Sequence, residues 1–87
     1  MKPALCVAVA IFGLPMGAMA MPSIGDMVGT NPTDATAALK EAGCAVYAFE
    51  AEDGMIEAKC TEVETNKAWE IYIDPANGQI KNIKSDD

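Results

Sequence analysis

From Trp69 to Ile83 the chain alternates around a turn. Trp69, Ile71 and Ile73 take every second position, and Glu70, Tyr72 and Asp74 take the others. Period two marks a strand with one apolar face and one wet face. Aromatic and β-branched side chains suit that pleated surface. In the turn, Asp74 offers a capping carboxylate and Pro75 presets φ. Asn77 and Gly78 tolerate or supply positive φ, with Gly78 expected in the left-handed region. A four-residue loop over 75–78 pairs Asp74 with Gln79 and Ile73 with Ile80, which puts Ile80 on the apolar face. Trp69, in phase with Ile71 and Ile73, is expected as a core anchor, with Trp69→Ala costing about 3–5 kcal/mol. At Gly78, valine should abolish folding while asparagine should be tolerated.

Residues 31–43 carry a helical pattern with both ends marked. Asn31 is an N-cap, Pro32 suits the first helical position, and Asp34 lies in the first turn. Ala35, Ala38, Leu39 and Ala42 fall at i, i+3, i+4 and i+7, a narrow apolar stripe. Lys40 and Glu41 face water, and Gly43 is the expected left-handed C′ residue. So short a helix is marginal alone and must pack on something; its small alanines let it lie close to a sheet.

Two further strands, 44–51 and 55–63, flank Glu52-Asp53-Gly54, and Asp-Gly is a strong hairpin signal. On the second, Ile56, Ala58 and Cys60 alternate with Glu57, Lys59 and Thr61. The first is ambiguous: Val46 and Ala48 form one face, and Ala45, Tyr47 and Phe49 the other. A bulge near Tyr47-Ala48 would turn Cys44, Val46 and Phe49 inward together. Residues 64–67 form a polar connection. The expected fold is α+β: one N-terminal helix packed on a four-stranded antiparallel meander sheet.

The chain's start changes the reading of its composition. Lys2, the apolar run 4–14, the breakers Pro15 and Gly17, and Ala18-Met19-Ala20 form a secretory signal peptide, with cleavage expected after Ala20. The expected organisation is a signal peptide at 1–20, a mobile arm at 21–30, the domain at 31–84 and a frayed tail at 85–87. The arm has glycines at 25 and 29 and no sustained apolar period; one or two of its side chains are expected to rest on the domain. The protein should be periplasmic or secreted, without stable membrane association once the leader is cut.

Export also changes the charge and the cysteines. Losing Lys2 with the leader takes the formal net charge from −7 to −8, and losing Cys6 leaves Cys44 and Cys60. There is no arginine, and so acidic a chain is not a nucleic-acid binder. Two thiols in an oxidising compartment are a disulfide candidate, and strand register decides the matter. A two-residue Asp53-Gly54 loop places Tyr47 opposite Cys60 and turns Cys44 to the other face. A three-residue loop pairs Ala51 with Met55 and Val46 with Cys60, leaving Cys44 diagonal to Cys60 near the reach of a bridge. The alternative is two reduced cysteines buried as small apolar residues.

Catalytic chemistry is hard to place. The chain has no histidine, so the usual general base is missing and hydroxyl nucleophiles lack a partner. No cofactor motif or zinc spacing is present, and the chain reads as non-enzymatic. Glu50, Glu52 and Asp53 cluster at one turn, with Glu57 nearby. They read first as a solvated face and second as an acidic cation-binding module. Residues 50–54 lack the spacing of a calcium loop.

With those elements in place, the chain resembles the PepSY family, found in propeptides of thermolysin-type proteases and in short exported bacterial proteins. The resemblance covers Pro32 to Ile83. It rests on Leu39-x-x-x-Gly43, Ile56-Glu57-Ala58 and, above all, Tyr72-x-Asp74-Pro75-x-x-Gly78. Cys44, where an aromatic is common, and Cys60 depart from the pattern and suggest an added crosslink. The resemblance implies a helix on an antiparallel sheet, no catalytic residues, and a binding role that modulates or inhibits an exported peptidase.

Overall fold

The computed structural model describes residues 21–86; the expected signal peptide lies outside them. One helix packs on a four-stranded antiparallel sheet of order β1-β2-β3-β4. The elements are α1 (Pro32–Glu41), β1 (Cys44–Glu52), β2 (Met55–Glu62), β3 (Ala68–Ile73) and β4 (Ile80–Ser85). The helix follows the 21–30 segment rather than opening the described chain.

Local chemistry accounts for each boundary. Asn31 Oδ1 accepts from the Asp34 amide at 2.9 Å, and Pro32 starts the helix without losing an amide bond. Gly43 ends it at φ 99°, donating to the Lys40 carbonyl. Asp53 and Gly54 both have positive φ, the geometry of a two-residue hairpin turn, so Glu52 pairs with Met55. At the last turn Asp74 Oδ1 accepts from the Ala76 amide, the Asp74 carbonyl accepts from Gly78, and Ile73 pairs with Ile80.

The β1–β2 register combines the two-residue turn with a bulge. Ala48 pairs with Lys59 and Val46 with Cys60, so Tyr47 is the extra residue. The three-residue loop considered from sequence does not form; the bulge makes the same correction to register. It turns Cys44 onto the face of Cys60, and the two form a disulfide with Cα atoms 5.4 Å apart. That is shorter than the ~7–8 Å of a flat diagonal pair, consistent with the added twist a bulge brings. Both cysteines are fully buried beside Leu39, Ile71 and Ile80.

Trp69 departs from its expected place. It is half-buried at the rim of this core, whereas Ile71, two residues on, is fully buried. Its Nε1 donates to Glu62 Oε1 at 3.0 Å, and Lys67 Nζ lies 4.9 Å from the ring centroid. Near the start of β3 and beside the 63–67 loop, the indole can keep its N–H satisfied at the sheet's end. Trp69→Ala is therefore expected to cost about 2 kcal/mol, below the 3–5 kcal/mol of a fully buried aromatic. A urea titration of the variant measures the difference.

The 21–30 segment, expected to be mobile, is tied to the β3–β4 turn by three backbone hydrogen bonds. Gly25 N donates to Ile80 O, Ile80 N to Asp26 O and Val28 N to Gly78 O, each at 2.8 Å. Val28 joins the core, and Met27 bridges to Gln79. At the other terminus β4 runs to Ser85, and the Asp86 amide donates to Ala68 O at 3.0 Å. Ser85 is thus the last residue of β4 and Asp86 is tied to the start of β3 by its amide, where a frayed tail was expected from residue 85.

Candidate functional site

Three of the four acidic residues singled out from sequence, Glu50, Glu52 and Glu57, meet on the sheet face opposite the core. Strand alternation puts Glu50 and Glu52 of β1, Glu57 of β2, and Glu70 and Tyr72 of β3 there together. Glu57 lies between Glu50 and Tyr72 in the two ladders. Carboxylate oxygens of Glu50, Glu52 and Glu57 lie within 4.8 Å of one another. Asp53, in the turn with its own positive φ, is not part of that triplet.

Glu57 is the surprise of this face. It was expected to be solvated, yet it is 2% exposed, the one buried charged residue among those described. Burial under neighbouring side chains pushes its carboxyl up to about 7; a hydrogen bond with Glu52 and the charges of Glu70 and Glu52 push the same way. A proton on Glu57 relieves like-charge repulsion and supplies the donor that two facing carboxylates lack. Glu70 behaves oppositely: Tyr72 Oη donates to its Oε1 at 3.0 Å and holds its carboxyl below the usual range. The same bond pushes the Tyr72 hydroxyl up to about 12. Lys59, 3.7 Å from Glu50 Oε2, is pushed up chiefly by that charge.

The sign of the resulting pH dependence follows from Glu57. Its folded-state value is above the ordinary 4.5, so its contribution to stability is fully present below pH ~4.5 and is lost as pH rises through about 7. Glu57→Gln keeps the hydrogen-bonding shape without the charge. Above pH 7 it is expected to stabilise the fold by about 1–2 kcal/mol, a value reduced for solvent screening at a sheet face. Melting temperatures between pH 4 and 9 check this: the wild-type decline above pH 5 should flatten in the variant.

A second feature lies at one end of the helix–sheet interface. A cavity of about 220 Å³ opens between the start of α1, the 29–31 segment, the second half of β1 and the β3–β4 turn. Phe49, Ala51, Ile56, Ile73, Ala35 and Pro75 give it mainly apolar walls, and Glu50 stands at its margin. Sequence reasoning named none of it as a site, because four separate segments build it.

Of the other residues singled out, Asp74, Pro75 and Gly78 form the β3–β4 turn, and Pro75 also borders the cavity. Cys44, Cys60 and Trp69 lie in or beside the core, on the other side of the sheet from Glu50, Glu52 and Glu57.

The chain matches the peptidase propeptide and YPEB domain (PepSY) family over residues 4–84. It belongs to that family, and the match starts well before Pro32, where the sequence resemblance began. No curated protein and no solved structure matches it. No helix among the described residues is long and apolar enough to cross a membrane.

Proposed function

We propose that this protein is an exported, non-enzymatic binding module that modulates or inhibits a peptidase. Membership in a family of peptidase propeptide domains across most of the chain carries the reading. A sequence without histidine and a signal-like first twenty residues support it. A propeptide-type module acts by occupying a surface of its enzyme, which needs a rigid fold and a docking face rather than reacting groups.

The test uses the protein purified from a host that exports it. It is expected to slow peptide hydrolysis by an exported thermolysin-type metallopeptidase of its native host, and to co-purify with that enzyme. Unchanged hydrolysis together with empty co-purification would overturn the reading.

A second reading, an acidic cation-binding module, is favoured by the convergence of Glu50, Glu52 and Glu57. A divalent ion there would displace the Glu57 proton, so calcium calorimetry at pH 8 should show heat and Glu57→Gln should abolish it. Absence of heat above buffer removes this reading.

A further inference from the structure

The two edges of the sheet are treated differently. The start of β4 is covered by the 25–28 backbone. β1 pairs only with β2, and no backbone hydrogen bond among the described residues joins its other edge to any element. The helix starts beside this strand, and the cavity of about 220 Å³ opens between them, walled on one side by Phe49, Glu50 and Ala51. An open edge supplies unpaired amides and carbonyls, and an adjoining cavity supplies a pocket for a side chain. Together these are the two requirements of strand addition.

Charge selects the occupant. Glu50, Glu52 and Asp53 are all exposed at this end of β1, and no lysine borders the cavity. A second copy of this chain, at formal charge −7, would bring the same carboxylates against them. An extended segment carrying lysine or arginine beside an apolar side chain meets both surfaces.

We propose that the groove between β1 and the start of α1 binds an extended, basic peptide segment. Its backbone adds to the β1 edge, one apolar side chain fills the cavity, and flanking cations face Glu50, Glu52 and Asp53. The proposal rests on the binding-module reading and names the partner's chemistry and the face it uses.

The probe is a fluorescein-labelled nine-residue peptide of alternating lysine and leucine. Its controls are the glutamate–leucine analogue and a lysine peptide N-methylated at every second residue. The lysine peptide is expected to bind and to shift amide resonances of residues 49–51 and 31–35. N-methylation should weaken binding at least about tenfold, through loss of ladder hydrogen bonds. Ala51→Phe, a substitution at an exposed strand position, fills the cavity and should weaken binding to a similar degree. The triple variant Glu50→Gln, Glu52→Gln, Asp53→Asn should lose most of the salt dependence. Melting curves confirm that both variants are folded.

No binding of the lysine peptide, equal binding of the glutamate peptide, shifts confined to Glu57 and Tyr72, or dimerisation through β1 would each overturn the proposal. Failure of the peptidase reading looks different. If the peptide binds as described and no peptidase responds to the protein, that reading falls and the groove stands. If Ala51→Phe inhibits a peptidase as well as wild type does, the groove assignment falls and the reading stands.

Discussion

Gly78→Val is expected to leave the protein unfolded at 37 °C, and Gly78→Asn to fare little better. Two effects add. The residue sits at φ 77°, where a β-branched side chain is strained by about 1–3 kcal/mol. Asparagine escapes most of that cost, which is why the turn alone suggests that it should be tolerated. The second effect removes that escape. A Cβ on Gly78 would stand 2.6 Å from the carbonyl carbon and oxygen of Gly29 and 2.8 Å from its nitrogen. All three are backbone atoms, so no rotamer change relieves the overlap. The 29–31 segment would have to lift away, breaking the Val28–Gly78 hydrogen bond and withdrawing Val28 from the core. Overpacking of this kind costs a further ~1–3 kcal/mol, and a domain of this size has only about 5 kcal/mol to lose. Thermal melts of Gly78→Ala, Gly78→Asn and Gly78→Val separate the effects. A wild-type melting temperature in the asparagine variant would show that the Gly29 crossing is not needed.

That crossing also shows where the sequence was legible. Elements governed by neighbours along the chain could be read directly: the Asn31-Pro32 start of α1, the position of the Asp-Gly turn though not whether its loop has two residues or three, and the 75–78 loop with its Ile73–Ile80 pairing. Even the bulge near Tyr47 showed itself, because β1 had two competing apolar faces that only an extra residue could reconcile. Features governed by distant contacts could not be read. Gly25 and Gly29 looked like interruptions in a mobile arm; they are positions where the backbone takes positive φ beside the β3–β4 turn. Glu57 fell on the wet face by alternation, and nothing in its own strand showed that it would be buried there between its partners Glu50 of β1 and Tyr72 of β3. The cavity beside β1 has walls from four segments and no motif at all.

Removing the Cys44–Cys60 bridge is expected to produce the other large loss. Its two ends lie 16 residues apart in sequence, and closing a loop of about that length lowers the chain entropy of the unfolded state by about 3 kcal/mol. The native side adds to this. Both cysteines are fully buried, packed with Leu39, Ile71 and Ile80. The bridge also clasps the start of β1 just beyond the bulge, where ladder pairing is interrupted at Tyr47. Cys44→Ala with Cys60→Ala deletes the crosslink and leaves a void in place of two sulfur atoms. The double variant is expected to lose about 3–5 kcal/mol, the upper part of the roughly 2–5 kcal/mol that removing a native disulfide costs a small domain, and to be largely unfolded at 37 °C. Cys44→Val with Cys60→Ala restores part of the volume but not the crosslink, so it should recover only the packing share, about 1 kcal/mol. Equilibrium urea unfolding of the three proteins, with intact mass confirming the oxidised wild type, measures both shares. Equal stability of wild type and the alanine double variant would show that the hairpin turn and bulge hold β1 in register unaided.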